Sequence, residues 1–525
     1  MKTFFLSLFL TVNLLSQSST LKILIASPVR QKPAILKEFL ESLGGLDSTN
    51  IHFDYYFTDD NLDVNSSRIL KNFAKNKKCI IDIPPNKERN LGYHTENKLR
   101  VWTNASVWKV AGFKNNMIKY AIKHEYDYIF LIDSDIVLHP LTIQQLLKDQ
   151  KDIVSCIYWT TSDPKVRQMP QVWLYDTNTP FKKEQTETLS NFEAYKRTSE
   201  FYNQLRIPGL YEVGGLQACT LISKKALIKG VNFEKLKNLS YSGEDRHLCC
   251  RALALGFHLY VDTHYPAYHI YLDSHLAGVE NFKKNCRTVT PIKKNQRITL
   301  SMCMKNEANR YLRKVLESAK NYITDAVIID DGSTDNSIEI VKEVFKDIPL
   351  KIIRNTVSKF SNEVSLRMQQ WEETIKTDPD WILILDADEI MEDKFTSEIK
   401  KLIKNPDIDV YYFRLYDFWN ESEYREDPYW SAHFFYHPFL IRYNPDIKYQ
   451  WLYTHQHCGR MPKTINNLRK GYSSSRIKHY GWSRESDRIA KYKRYQKLDP
   501  NGQYGSVDQY ETILDETPTL IKWEE

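Results

Sequence analysis

Short apolar runs that end in clustered carboxylates recur along this chain, separated by stretches with helical spacing. Lys22–Ser27 (KILIAS) reads as a first strand, Leu36–Leu43 as a helix and His52–Phe57 as a second strand. Ala111–His124 reads as a helix that delivers the chain to a strand at Tyr128–Ile132, and Thr142–Lys148 as a further helix. Ile153–Trp159 and Gly214–Ile222 read as later strands, and Pro164–Gln204 as a polar active-site loop or acceptor-binding insert. From Ile298 the order starts again. Ile298–Cys303 is a strand, Asn309–Ala319 a helix, Ala326–Ile329 a strand and Ser337–Phe345 a helix. Leu350–Ile353, Asn362–Ile375 and Trp381–Leu385 follow as strand, helix and strand. Strands alternating with helices predict a parallel α/β sheet. The repeated order predicts two related units in tandem.

Each unit carries the same two acidic signatures. The first has DYYFTDDN at Asp54–Asn61 and YIFLIDSDIVLHP at Tyr128–Pro140; the second has AVIIDDGSTDNS at Ala326–Ser337 and WILILDADEIMED at Trp381–Asp393. Carboxylates gathered at strand ends are costly unless something cationic meets them. Ligands of open α/β sheets bind outside the carboxyl ends of the strands. Asp133-Ser134-Asp135 and Asp386-Ala387-Asp388 therefore offer open, oxygen-rich sites suited to Mg²⁺ or Mn²⁺ holding a diphosphate. A solvated turn explains one Asp-x-Asp equally well. Two copies, each behind an apolar run and each downstream of another acidic turn, favour function.

The predicted organisation is a leader at 1–20, a first domain at 21–285, a linker at 286–297, a second domain at 298–498 and a tail at 499–525. The linker is basic, holds a proline and lacks periodicity. The tail shows no clear core pattern. Net charge is +7 on 525 residues, too mild to argue for nucleic acid and compatible with anionic ligands or peripheral membrane contact. The eight cysteines are scattered without a CxxC pair, so they give no structural zinc spacing. Read as reduced core thiols, they point to a cytoplasmic or membrane-peripheral setting. Met1–Ser18 pulls the other way. One Lys, an apolar stretch Phe4–Leu15 and small polar residues resemble a signal peptide, which would place the protein in the secretory pathway. A membrane-touching or disordered leader, or a misassigned start, explains the same residues.

VIIDDGSTDNS followed by LILDADE resembles the nucleotide-sugar-binding core of the GT-A glycosyltransferases, family 2 in particular, over most of Ile298–Ile489. The resemblance implies a fold of two tandem GT-A domains, the Rossmann-like α/β fold of nucleotide-diphospho-sugar transferases. It implies that Asp331 contacts the donor base, that Asp386 and Asp388 hold ribose and metal, with Asp388 the main metal ligand, and that Ser301 and Glu307 line the nucleotide. His479, in IKHYGW, resembles the late histidine that completes the metal site. The first unit is similar but more divergent. Ser27 matches the first-strand position, Asp60 the base-contacting position, and Asp133 and Asp135 the donor- and metal-holding pair. His269 resembles the late metal-binding histidine, with His264 as the weaker candidate. Asp245, in YSGEDRHLCC, resembles the general base of inverting members.

Glycosyl transfer needs the leaving nucleoside diphosphate neutralised and a base within reach of the acceptor hydroxyl. The same Glu244-Asp245 pair is also explained by acids at a helix start. In the second unit Glu426, Asp427, His433, His455 and His457 lie after the Asp-x-Asp, and none stands out as a base. The family's processive acceptor motif Q/R-x-x-R-W does not appear. The expectation is a bifunctional, metal-dependent, inverting and non-processive glycosyltransferase. Its donor would be a UDP- or GDP-sugar and its acceptor a glycan, glycoprotein or glycolipid. One catalytic domain with a degenerate sugar- or partner-binding domain is the alternative. Phosphoryl transfer, from the loose fit of YIFLIDSDIVL to a phosphatase motif, ranks below both.

Overall fold

The computed structural model of the protein describes residues 20–85, 94–96, 99–163, 166–176, 178–241, 243–454, 458–503 and 505–525. The leader, Ser242, His455 and His457 lie outside the described residues. The chain forms two compact units. One holds the described chain up to Thr179 together with Leu210–Val279; the other holds Pro180–Gly209 and Glu280–Glu525.

The first unit is a mixed sheet ordered Leu210–Val213, Leu259–His269, Ile153–Thr160, Thr220–Ser223, Tyr128–Leu131, Leu21–Val29, Ile51–Asp59, Cys79–Asp82. The last four of these are mutually parallel. The strand Thr220–Ser223 runs antiparallel to Tyr128–Leu131 and begins the mixed half. Ile23, Leu24, Ile25 and Ala26 are all fully buried, so this strand reads as a continuous apolar run, as strands covered on both faces do. Pro33 opens the helix Pro33–Gly44 at its first turn, where a missing N–H costs nothing. Thr103 caps the helix Asn104–Lys123 by accepting from the Ser106 amide.

The second unit has the order Leu350–Arg354, Asp325–Asp330, Ile298–Met304, Trp381–Ile384, Tyr436–Arg442, Val410–Asp417, Lys470–His479, Glu389–Met391. Its first four strands are parallel and Tyr436–Arg442 turns antiparallel. Both units are therefore Rossmann-like mixed α/β domains, as the resemblance implied.

Three parts differ from the pattern-based expectation. Within the polar stretch Pro164–Gln204, Asn191–Gln204 is a helix of the second unit. Its Lys196 pairs with buried Glu426, and Asn203 donates to the Phe434 carbonyl. The tail is packed rather than loose. Tyr510 and Ile513 are buried in a cluster with Trp419, Trp430 and Trp482, and Leu520–Lys522 pairs with Glu423–Arg425. Elements this short hold by aromatic packing and ion pairs, which leave no period to read. The linker lies against the second unit: Arg469 donates to the Thr288 carbonyl and to Thr290 Oγ1, and Lys293 pairs with Asp380. No helix among the described residues is long and apolar enough to cross a membrane.

Candidate active sites

In both units the Asp-x-Asp follows the strand next to the first strand, at the carboxyl edge of the parallel half. A short strand leaves it and pairs antiparallel with the strand that carries the late histidine. In the first unit Ile136 faces His269, and the Ile270 amide donates to the Asp135 carbonyl at 2.8 Å. In the second, Glu389 faces His479, and the Tyr480 amide donates to the Asp388 carbonyl at 2.8 Å. The register is the same, with the residue after the second aspartate opposite the histidine. It brings His269 Nε2 to 3.5 Å from Asp135 and His479 Nε2 to 3.8 Å from Asp388.

The first site opens into a cavity of about 420 Å³ lined by Asp60, Asp133, Asp135, Trp173, Glu244 and Asp245, among others. Gly243 takes the cap of the helix Glu244–Ala254 at φ +119°, a conformation that favours glycine. Asp245 therefore sits inside the first turn, with its carboxylate turned to Lys114. The Lys114 ammonium is buried 3.0 Å from Glu244 Oε1 and 3.1 Å from Asp245 Oδ1. Burial pushes Asp245 up to about 7; Lys114 opposes this, and Glu244 and Asp133 add to it. That places a carboxyl where it can exchange a proton near neutral pH. Asp133 is raised by burial, with Lys114 opposing and Asp135 and Glu244 adding. Burial lowers Lys114, but Asp245, Glu244 and Asp133 overcome it and raise the group.

Asp60 lies across the cavity, where Lys109 and Arg30 both reach its Oδ2, at 2.5 and 3.2 Å. Its Oδ1 is buried and has no hydrogen-bond partner among the described residues, which leaves an acceptor for a ligand N–H. Ser27 is fully buried at the end of its strand, with its hydroxyl on the Pro28 carbonyl. His264 is paired with Asp262 at 2.6 Å, away from the Asp-x-Asp.

The second site is more self-contained. Asp331 is fully buried, and both its oxygens accept from the following loop: Asn355 Nδ2, Ser358 Oγ and the amides of Lys359 and Phe360. Burial raises Asp386, but Arg367, at 3.0 Å, and Arg460 outweigh it and hold it at about 2. Burial pushes Glu307 up to about 7 against Arg310, with Asp388 adding. Ser301 is buried, and its hydroxyl bonds Thr374 Oγ1 at 2.7 Å, beneath the helix Glu363–Ile375. His479 is oriented by Asp417, 2.7 Å from its Nδ1. Burial lowers it, but Asp388 and Asp417 prevail and raise it. Glu426 and His433 pair with each other at 2.8 Å inside the core, which uses them structurally, and Asp427 holds Arg425.

Among the described residues no three His, Cys, Asp or Glu side chains are already gathered around one metal position. The first site still fits a divalent cation. Two carboxylates face one cavity, the His269 imidazole stands 3.5 Å from one of them, Asp133 is crowded by like charge, and oxygen-rich sets of this kind leave positions for a diphosphate. The second does not fit as it stands. A Cβ placed on Gly481 would lie 2.6 Å from Asp388 Oδ2, 2.5 Å from His479 Nε2 and 2.4 Å from Lys491 Nζ. An ammonium thus shares the space where the carboxylate and imidazole converge.

Sequence reasoning missed the cations: Lys114, Arg30, Lys109, Arg367, Arg460 and Lys491. A signal existed for Lys114, which interrupts the buried stripe Val107, Ala111, Met117, Ile118 and Ala121 of its helix. A lysine on an apolar face calls for buried carboxylates opposite.

Two family models match the chain: Glycosyltransferase family 25, N-terminal domain, over residues 20–178, and Glycosyl transferase family 2 over residues 299–466. No curated protein sequence matches. Among solved structures, TarS 1–349 of S. aureus in complex with UDP-GlcNAc is 14% identical at a TM-score of 0.29, covering 49% of this chain and 61% of that one. The mannosyltransferase PcManGT from Pyrobaculum calidifontis, in complex with GDP-Man and Mn²⁺, is 10% identical at a TM-score of 0.29, covering 50% and 61%. The chain thus spans less than two thirds of the length of either solved protein. By sequence match, residues 299–466 resemble glycosyltransferase family 2, and the unit before them resembles the N-terminal domain of glycosyltransferase family 25.

Proposed function

We propose that the protein is a bifunctional glycosyltransferase whose two units each bind a nucleotide-diphosphate sugar. The observation that carries this reading is the shared register that sets an Asp-x-Asp beside a late histidine in both units. In the first unit Asp135 and His269, with Asp133 beside them, would hold Mn²⁺ or Mg²⁺. The ion supplies Lewis-acid neutralisation of the diphosphate. Asp60 offers Oδ1 to a base N–H of a UDP- or GDP-sugar. Asp245 accepts the proton of the acceptor hydroxyl, and Lys114 favours the ionised form of that carboxyl against its burial. A base acting on the acceptor in direct displacement predicts inversion at the anomeric carbon. In the second unit Asp386, Asp388, Glu307 and His479 face the donor, and base contact by Asp331 requires the loop Asn355–Phe360 to share or yield its hydrogen bonds. Without the processive motif the enzyme adds one or few sugars per site, to a surface polysaccharide, glycoprotein or glycolipid acceptor.

The test is a donor screen by nucleoside diphosphate release on the full chain, with Asp135→Asn and Asp388→Asn to silence each unit in turn. Two donor preferences, each lost in one variant, are expected. Release of the same nucleotide at the same rate from both variants would refute two independent centres.

A further inference from the structure

Lys491 lies on the helix Glu485–Leu498. Its ammonium sits 4.1 Å over the face of Trp482, an arrangement that holds a cation in place without neutralising it. Among the described residues no carboxylate stands within ion-pair distance of it, so its donors stay available to a ligand. The Gly481 position shows where those donors point. Lys491 Nζ, His479 Nε2 and Asp388 Oδ2 converge over a backbone site where even a methyl group would collide with all three. Glycine is what keeps the space open. In the first unit the residue two past the histidine is Tyr271, with its ring 5.5 Å from His269.

Resting on the reading that both units bind nucleotide-diphosphate donors, we propose that Lys491 is the resident cation of the second unit. It faces the diphosphate from the space between Asp388 and His479 and keeps a divalent ion from binding there. The two units would then neutralise the same kind of ligand by different means, a bound metal in the first and a built-in ammonium in the second. A divalent ion placed beside Asp388 and His479 meets a fixed positive charge only a few ångströms away, and repulsion of that kind is strong where solvent is partly excluded.

The test is a manganese(II) titration of the full chain followed by electron paramagnetic resonance, with no substrate and no activity measurement. Wild type should hold one strongly bound ion, lost in Asp135→Asn and retained in Asp388→Asn. Lys491→Met should add a second site at least about tenfold tighter than any second site of wild type. That added site should disappear in Lys491→Met/Asp388→Asn, and Lys491→Arg, which keeps the charge and controls for folding, should not create it. A wild-type ion removed by Asp388→Asn would overturn the proposal, and so would a Lys491→Met chain that folds and gains no site. A wild type that holds no Asp135-dependent ion would count against the metal reading of the first unit. The Lys491 comparison is scored separately, because it is read against Asp388→Asn.

Discussion

Replacing Lys114 by Met should convert the first unit into an enzyme that works only at alkaline pH. The substitution keeps the length of the side chain and removes the charge. In the native site the ammonium is 3.1 Å from Asp245 Oδ1. At an effective dielectric of about 20, opposite unit charges at that spacing attract by roughly 5 kcal/mol. Water entering the vacated space will weaken that loss, and half of it still corresponds to nearly two pH units at about 1.4 kcal/mol each. Asp245, already pushed up to about 7 by burial against the pull of Lys114, should then ionise near about 9. At pH 7 the ionised fraction falls from about half to about one in a hundred, so transfer should drop roughly fifty-fold and return as pH is raised. The assay is the pH profile of kcat/KM for the first unit, measured in an Asp388→Asn background. The sign for stability is the same. A carboxyl whose folded pKa lies above its unfolded value stabilises at acid pH and loses that contribution as pH rises through the folded pKa. The variant should therefore lose melting temperature relative to wild type between about pH 7 and 9. An acid limb that stays in place, or a loss of rate equal at every pH, would refute the role given to Lys114.

Asp245→Asn should leave donor affinity nearly unchanged and lower turnover by roughly two to four orders of magnitude, read by steady-state kinetics with isothermal titration of the donor. Asp386→Asn leaves Arg367 and Arg460 facing a neutral group and should cost about 3 kcal/mol or more in chemical denaturation. Because Asp386 is held at about 2, its contribution in wild type is present above the ordinary carboxylate range and is lost as pH falls through about 2. Glu426→Gln should destabilise the fold by a similar amount through Lys196 and His433, without moving any pH limb of catalysis. Gly215→Ala places a Cβ 2.0 Å from the Trp173 ring, so it should destabilise the first unit by about 1–3 kcal/mol and alter the cavity that Trp173 lines, measurable by melting and donor KM.

The parallel half of each sheet was readable because its strands are covered on both faces and appear as unbroken apolar runs, as in Ile23–Ala26 and Trp381–Leu385. The Asp-x-Asp pairs were readable for the same reason, since each interrupts such a run. The mixed half of the second unit was not. Val410–Asp417, Tyr436–Arg442 and Lys470–His479 mix aromatics with inward polar groups, among them buried Arg442, Ser473 and Ser475. Buried Ser473 and Ser475 both bond Glu398, a pairing across more than seventy residues that periodicity does not carry. The cations were hidden for the same reason. Lys114 and Asp245 are 131 residues apart, and nothing local marks one as the partner of the other. Lys491 could be found only from where the backbone of Gly481 leaves room.

The shared register also sets what kind of sequence change each centre can absorb. Between Asp135 and His269, and between Asp388 and His479, the chain follows different routes of different length, yet the hydrogen-bonded ladder meets at the same step. Extra loop between ladder partners is cheap, since closure entropy grows slowly with length. A single residue inserted into the last few positions of Leu259–His269 or Lys470–His479 is another matter. It would turn every following side chain to the opposite face and carry the histidine away from its aspartate. Length variation in these units is therefore confined by geometry: whole insertions can be accommodated in the connections, while the few rungs beside each histidine admit none.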